Sequence, residues 1–318
     1  MDTSRFEIGS WIGLSIVSST SLILVLKQVG KLVKCKYTTT LSTFHFLSTW
    51  LILEFIALIG KIRRCDQVPL SKRIILSFLV CTSIVSMNFN LGANSIGFYQ
   101  MSKLVCIPYM VLHKFFVQKQ RFSMSEIFSL AILLLGVALF SVSDVEFNIK
   151  GTIYAIIAIL STTYNQLMTE DLQKAYSING PELQLSIAPT EFAIGCVAAT
   201  VLEGTGEDSF MSSRFSIDAI VYMLLTCVFA VGVNIATFGL IGKTSSVTYQ
   251  VVGHFKTVLL LVLGYVFFPS KWESKSQMIR AISGIIVALI GVFSYSKVKM
   301  NASKKPNEEL MPLISDKK

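Results

Sequence analysis

The sequence predicts an all-α membrane protein whose ten transmembrane helices form two inverted five-helix repeats. Hydrophobic residues make up 53% of the chain and charged residues only 15%, whereas a soluble domain carries about 25% charged residues. The chain contains ten apolar runs near the ~20 residues that a helix needs to cross a bilayer. A short polar motif also occurs once in each half of the sequence. These three observations together lead to the fold class.

The ten predicted helices are separated by short loops. Their bounds follow from the apolar runs and the polar residues between them. The predicted spans are residues 8–29, 38–60, 73–95, 97–117, 123–142, 149–169, 183–202, 216–240, 243–268 and 277–297. The third and fourth are divided only by a break near Asn94 to Gly97. The seventh is the weakest because it contains Pro189 and Glu191.

The net charge of +9 comes from basic residues in short runs between the apolar segments, such as residues 61–65 and 31–36. This pattern is typical of membrane loops, where lipid headgroups are the nearest anions. Membrane lipids are therefore expected partners, and nucleic acid is not. An even number of spans places both termini on one side. Most Lys and Arg residues, although not those of 31–36, fall on that side, which predicts that both termini are cytosolic.

The sequence lacks the common catalytic and phosphate-binding motifs of enzymes. It contains no phosphate loop, no HExxH and no GxSxG motif, and its three histidines are scattered. The six cysteines show no CxxC spacing and are expected to be buried, without a structural disulfide. We therefore expect no enzyme, no catalytic residues, no metal site and no cofactor.

The recurring motif is NSIGFYQ at 94–100 and TSSVTYQ at 244–250. The matching residues are Ser95 and Ser245, Tyr99 and Tyr249, and Gln100 and Gln250. Each copy precedes an intramembrane lysine and, later, a glycine-containing helix, LLLGVALF or ALIGVFSY. The predicted repeats are residues 1–147 and 148–299, followed by a disordered cytosolic tail at 300–318. Five helices are an odd number, so the second repeat is inverted, as in alternating-access transporters that hold substrate near the bilayer midplane.

Lys256 lies at the midpoint of the apolar segment 244–268. Each half of that helix is about 18 Å long at ~1.5 Å per residue, too far for the lysine to reach the interface. A charged side chain at the centre of the bilayer costs roughly 2.5–3.5 kcal/mol of free energy on insertion. The lysine either binds an anionic substrate or pairs with a group inside the helix bundle. The repeated motif, which precedes a lysine in each half, favours the interpretation that it binds substrate.

A set of cations, hydroxyls and amides accompanies this lysine. Lysine acts as a point charge for phosphate, while hydroxyls and amides orient the ligand. The alternatives are packing for the tyrosines, and helix–helix hydrogen bonding for the asparagines and the histidine. Glu191 could offset a lysine or carry a proton. The predicted substrate-binding residues are Lys256, Lys103, Tyr249, Tyr99, Gln250, Thr257, Asn88, Asn234 and His254.

Four stretches carry a family resemblance: NSIGFYQMSKLVCIP, DVEFNIKG, IGKTSSVTYQVVGHFKT and FHFLSTW. They resemble the nucleotide-sugar and triose-phosphate transporter branch of the drug/metabolite transporter superfamily, nearest to its KT group with plant Golgi UDP-sugar transporters. Lys256 and Thr257 stand at the KT position, whereas His113 replaces the glutamate usual in plant members. The resemblance implies a Golgi or related membrane and exchange of a cytosolic nucleotide sugar, expected to be a UDP-sugar, for a lumenal nucleoside monophosphate such as UMP.

Two other functions stay open from the sequence. The chain could transport another phosphorylated metabolite, such as a sugar phosphate or triose phosphate, or it could be a non-transporting membrane regulatory protein. A homodimer is left open as well. In the tail, Glu309, Leu313 and Ile314 fit an acidic dileucine sorting signal. Clathrin adaptors read such signals and direct proteins to endosomal or vacuolar membranes.

Overall fold

The computed structural model describes residues 3–33, 37–94, 96–141, 149–204, 210–267 and 275–315. Within these ranges every regular element is helical, which confirms the all-α prediction. The helices are α1 (Thr3–Val33), α2 (Thr38–Leu58), α3 (Leu70–Ala93), α4 (Ile96–Leu104), α5 (Cys106–Phe116), α6 (Met124–Ser141), α7 (Ile149–Ala175), α8 (Gly180–Glu203), α9 (Ile217–Lys243), α10 (Ser246–Phe267) and α11 (Lys275–Ser315). A short 3₁₀ helix covers Phe210–Ser212.

Membrane character follows from helix length and composition. Among the described residues, five helices are long and apolar enough to cross a bilayer: Phe6–Val33, Thr38–Leu58, Leu70–Ala93, Gly180–Glu203 and Ile217–Lys243. Met124–Leu139 and Ile282–Val298 are shorter apolar helices. Many large apolar side chains lie on the outside of the helices, which suits contact with lipid tails.

The fourth predicted span is two helices instead of one. α4 ends at Leu104, and α5 begins at Cys106. Pro108 lacks the amide proton that would bond the Leu104 carbonyl, and its ring crowds that carbonyl. The Val105 amide instead donates to the Ser102 carbonyl at 3.2 Å. The proline therefore accounts for the break that apolar composition alone did not reveal.

The seventh predicted span, the weakest in sequence, is a continuous helix. Asn179 caps α8, accepting from the Glu182 amide at 2.9 Å, while Glu182 Oε2 accepts from the Asn179 amide at 3.0 Å. This reciprocal pair fixes the helix start. Pro189 lies inside the helix without ending it. The two residues that weakened the prediction, Pro189 and Glu191, are both accommodated in α8.

The helices divide into two compact units. The first comprises Met1–Asn94 and Phe147–Tyr249, and the second comprises Ser95–Glu146 and Gln250–Lys318. Each unit thus contains residues from both halves of the sequence. The repeats at 1–147 and 148–299 are a relationship along the sequence and stay a prediction at this point.

In the first unit, the helices pack in three main pairs. α1 lies against α9, α2 against α8, and α3 against α7, while α8 also contacts α3 and α9. The apolar core of this unit is built from side chains of five of these helices and of the loop before α3. Its buried members include Phe46, Val68, Leu76, Val80, Leu183, Ile187 and Phe238.

In the second unit, α6 and α11 pack closely along their length. A Cβ atom on Gly136 would lie 2.2 Å from the Ala288 nitrogen, and one on Gly291 would lie 2.4 Å from the Leu133 nitrogen. Only glycine fits at these two points, because each faces the backbone of the other helix. The two glycine-containing helices that follow the repeated motif are therefore partners in space.

α11 continues as helix to Ser315. Its last part includes Glu309, Leu313 and Ile314, whose side chains lie outside the described set. Pro306 and a run of charged residues also lie there, and proline removes one helical hydrogen bond. Disorder of the tail in solution stays a prediction.

The described cysteines Cys65, Cys81, Cys106, Cys196 and Cys227 are free thiols, the first three fully buried. Cys35 lies outside the described residues. The sequence predicted burial for all of them, which is confirmed for Cys65, Cys81 and Cys106 and is wrong for Cys196 and Cys227, which are only partly buried.

Candidate substrate-binding site

Lys103 lies in the last turn of the short helix α4, in the second unit. Its ammonium group is 4.3 Å from the centre of the Tyr99 ring, one helical turn earlier. A cation over an aromatic face gains about 0.5–2 kcal/mol, depending on how much water is excluded. Two predicted site residues are thus in direct contact, and the ring determines where the lysine charge lies.

His254 on α10 belongs to the same unit and is only 5% exposed. The charge of Lys103 acts electrostatically on its imidazole, so α4 and α10 bring their basic groups into one region. Nε2 of His254 has no hydrogen-bond partner among the described residues. A buried imidazole nitrogen without a partner is costly and is suited to a group that arrives with a ligand.

Lys256 follows His254 by two positions on α10 and is partly buried. Thr257 is also partly buried, and its hydroxyl donates to the Gly253 carbonyl at 3.2 Å. This local bond directs the hydroxyl proton to the backbone and leaves the oxygen as an acceptor. Gln250, one residue into the second unit, is partly buried as well. The second unit therefore holds six of the predicted site residues.

The other three predicted site residues belong to the first unit. The Tyr249 hydroxyl lies 3.1 Å from Thr237 Oγ1 of α9. Asn234 Nδ2 donates to Thr49 Oγ1 of α2 at 2.9 Å, so this amide links two helices. Asn88 on α3 is partly buried and makes no side-chain hydrogen bond to any described residue. The two asparagines, indistinguishable in sequence, differ in their contacts.

Ser245, which repeats Ser95 in sequence, caps the start of α10. Its Oγ accepts from the Thr248 amide at 3.1 Å and lies 2.9 Å from Thr248 Oγ1. Serine is among the preferred residues at this position. Ser95 itself lies outside the described residues. This serine therefore marks a helix start rather than a ligand contact.

Sequence reasoning missed several residues that position the site. Thr49 and Thr237 are single hydroxyls in apolar helices and carry no pattern that distinguishes them from packing residues. Glu170 on α7 receives hydrogen bonds from Ser246, the first residue of α10. A signal for Glu170 was present, because a carboxylate in a largely apolar helix needs a partner.

Glu191 is fully buried in α8, at 1% exposure. Its Oε2 accepts from Gln184 Nε2 at 2.7 Å, while Oε1 has no hydrogen-bond partner in the described structure. No described basic residue forms an ion pair with it. The suggestion that this carboxyl offsets a lysine therefore finds no partner lysine among the described residues.

A family model described as the Triose-phosphate Transporter family matches residues 7–296 of this chain. The match includes all predicted spans apart from the last residue of the tenth, and it includes both copies of the repeated motif. The chain belongs to this family. Its members are membrane transporters, which agrees with the apolar helices and with the resemblance drawn from the KT motif.

Two proteins from Arabidopsis thaliana are similar to this chain along nearly its whole length. UDP-xylose transporter 2 is 36% identical over 301 residues, which cover 93% of this chain and 83% of that protein. UDP-rhamnose/UDP-galactose transporter 2 is 33% identical over 298 residues, which cover 91% of this chain and 82% of that protein. Both alignments extend along nearly the whole chain.

One solved crystal structure superimposes with a TM-score of 0.66 and 11% sequence identity. The alignment covers 90% of this chain and 98% of that one. At this level of identity the likeness concerns the fold alone. The helical arrangement is thus one that an experimentally determined protein shares.

Proposed function

We propose that this protein is a nucleotide-sugar antiporter of the Golgi or a related endomembrane, which exchanges a cytosolic UDP-sugar for lumenal UMP. The observation that carries the proposal is the 36% identity to a UDP-xylose transporter over 93% of the chain. The relatives named for UDP-rhamnose and UDP-galactose point to the same nucleotide with different sugars. UDP is therefore the group that this chain is proposed to recognise.

Two lysines and a histidine of the second unit supply the chemistry for the proposed substrate. Lys103, His254 and Lys256 come from α4 and α10, and the charge of Lys103 acts electrostatically on the buried imidazole of His254. A diphosphate would offset the two ammonium charges, whose presence in a bilayer is otherwise costly. The substrate-bound protein then changes between its two access states more readily than the empty protein does. Transport in one direction is therefore coupled to transport in the other, which is obligatory exchange. Direct contact of Tyr249, Asn88 and Asn234 with the same substrate stays a prediction.

An inverted-repeat architecture of ten spans is part of the proposal, with α4 and α5 forming one span. In the two proposed repeats, α1 corresponds to α7, α2 to α8 and α3 to α9. Within the first unit, the contact between α1 and α9 therefore corresponds to the contact between α7 and α3, and the contact between α2 and α8 corresponds to itself. Within the second unit, α6–α11 also maps onto itself. This pairing is what a two-fold relation between five-helix repeats requires.

The proposed orientation places both termini in the cytosol. Single cysteines substituted at Ser303 and at Glu207 in a cysteine-free background should react with an impermeant reagent from opposite sides of sealed vesicles. Reaction of both from the same side would contradict the ten-span arrangement.

Uptake by purified protein in liposomes tests the function directly. Vesicles preloaded with UMP should accumulate labelled UDP-xylose or UDP-galactose, whereas vesicles without nucleotide, or without protein, should not. GDP-mannose serves as a matched sugar nucleotide with a different base and should be a poor substrate. Absence of UMP-dependent uptake of every UDP-sugar would contradict the proposal.

A second candidate is transport of another phosphorylated metabolite, and it is favoured by the matching family, whose description names triose phosphate. The same vesicles, loaded with inorganic phosphate and supplied with labelled triose phosphate, distinguish the two substrates. A membrane protein with a regulatory role would give uptake of neither.

A further inference from the structure

Glu170, near the end of α7, is a carboxylate that the sequence analysis did not assign. It is only 2% exposed. Its Oε2 accepts a hydrogen bond from the Ser246 amide at 2.8 Å and another from Ser246 Oγ at 2.6 Å. Its Oε1 pairs with the ammonium of Lys174, four residues later on the same helix. Both oxygens are therefore engaged, and the contact with Ser246 is shielded from water.

Ser246 is the first residue of α10 and is itself fully buried. The first amides of a helix have no partner within the helix, and a negative charge near them is stabilised by the helix dipole. Helix α8 meets this need with side chains from its own first turn and cap, Asn179 and Glu182. α10 uses Ser245 for one amide and a carboxylate from α7 for another.

The same turn of α7 also contacts the end of α9. Gln173 Nε2 donates to the Phe238 carbonyl at 3.0 Å. A Cβ atom on Gly242 would lie 1.8 Å from Gln173 Oε1, so the side chain lies directly against that glycine. Glu170 and Gln173 thus contact the chain on both sides of the short connection between α9 and α10.

Helix α10 carries most of the proposed substrate-binding residues. Tyr249 lies one turn after Ser246, and its hydroxyl contacts Thr237 of α9. Lys256 follows Ser246 by ten positions on the same helix. A shift or rotation of the first helical turn displaces the side chains on that turn. The contact between Glu170 and Ser246 therefore holds the turn in which Tyr249 lies.

We propose that Glu170 is a positioning residue for transport: by holding the first turn of α10 it sets the location of Tyr249, the proposed substrate-binding residue of that turn, without touching substrate. This inference rests on the proposed nucleotide-sugar exchange. Binding groups displaced by about 1 Å can lose on the order of 100-fold in rate. A change at Glu170 is accordingly expected to alter affinity and turnover, and not only stability.

The test compares Glu170→Gln and Glu170→Ala with Glu182→Gln as a matched control. Glu182 also caps a helix by accepting from a backbone amide, but its helix, α8, carries none of the proposed substrate-binding residues. KM and kcat for UMP-driven uptake are measured per properly folded protein, together with the melting temperature. Hydrogen exchange at Ser246 to Tyr249 reports the start of α10 independently of transport.

Glu170→Ala should lower kcat/KM by about tenfold or more and accelerate hydrogen exchange at the start of α10, with Glu170→Gln intermediate. Glu182→Gln should lower the melting temperature and leave KM and kcat unchanged. Normal KM and kcat in both Glu170 variants would overturn the inference, whatever their melting temperatures. If the wild type transports no nucleotide, the proposed function fails. The positioning role is tested separately by hydrogen exchange, and an unchanged rate at the start of α10 in Glu170→Ala would contradict it.

Discussion

The ammonium of Lys103 lies 4.3 Å from the ring centre of Tyr99 within α4. The two residues are separated by one helical turn, where side chains meet on the same face. The electron-rich face of the ring attracts the ammonium and so restricts the positions that the flexible lysine can take. The contact is made by the aromatic face of Tyr99, and the hydroxyl is not required for it.

Tyr99→Leu should therefore weaken nucleotide binding, while Tyr99→Phe should preserve it. Loss of a cation–π contact costs about 0.5–2 kcal/mol, which corresponds to about two- to thirtyfold in half-saturating concentration. A titration of UMP against the melting temperature of each purified variant measures this. Equal losses in the Phe and Leu variants would show that the hydroxyl, and so a direct contact with substrate, is what matters.

Asn234 and Asn88 should behave differently, although both were predicted to contact substrate. Asn234 donates to Thr49, so Asn234→Ala should lower stability by about 0.6–2 kcal/mol, the range for interhelical hydrogen bonds in membranes. Asn88 makes no side-chain bond in the described structure, so Asn88→Ala should leave the melting temperature unchanged and raise KM for the UDP-sugar.

Thr49→Val provides the control for the first of these effects. It should destabilise the protein as Asn234→Ala does, and the double variant should be no worse than either single variant. Additive losses would mean that the two side chains act independently, against the hydrogen bond seen between them.

The Glu191 and Gln184 pair predicts a specific pattern of stabilities. Gln184→Leu removes the partner of the buried carboxyl and should cost about 1–3 kcal/mol, whereas replacing both residues by leucine should be close to neutral. Glu191→Gln keeps the shape and one acceptor oxygen, so it should melt near the wild type. Melting temperatures in one detergent suffice for this comparison. A double variant as unstable as Gln184→Leu would contradict this interpretation.

The tail provides a prediction about location. Glu309, Leu313 and Ile314 fit an acidic dileucine signal, so replacing Leu313 and Ile314 together by alanine should shift the steady-state distribution away from endosomal or vacuolar membranes. Imaging of the tagged protein in cells measures this, with Pro312→Ala as a control that leaves the pattern intact. An unchanged distribution would mean that the tail sequence is not a sorting signal.

Much of the fold could be predicted from the sequence because bilayer physics imposes it. Apolar runs of membrane length became helices, and even the weak seventh span formed one, since Asn179 and Glu182 cap it. The division at Val105 was not foreseen, because a hydropathy pattern does not register the backbone effect of Pro108. The two compact units could not be foreseen either, since each combines residues from both halves of the chain.

The candidate site was predictable only in its charged part. A lysine in the middle of an apolar segment, such as Lys256, is conspicuous because of its cost. The roles of hydroxyls and amides depend on partners from other helices, as in Asn234 with Thr49 and Ser246 with Glu170. These partners are far apart along the chain, so no local pattern distinguishes Asn234 from Asn88.

Lys256 is proposed to hold the substrate phosphate, and Lys256→Ala tests this role. The variant should fold normally, because it removes a charge that is costly in the membrane, but it should lose exchange. Lys256→Arg should retain binding and transport poorly, since a planar guanidinium does not replace an ammonium. Lys243→Ala is the matched control: Lys243 forms an exposed ion pair with Glu7 at 2.8 Å, and such pairs contribute little.

The most direct measurement combines melting temperature and UMP-driven counterflow on the same purified Lys256→Ala protein. We expect a melting temperature close to that of the wild type and no counterflow, with Lys243→Ala normal in both. Normal counterflow in Lys256→Ala would contradict the phosphate role of this lysine, and a collapsed melting temperature would show that its role is structural.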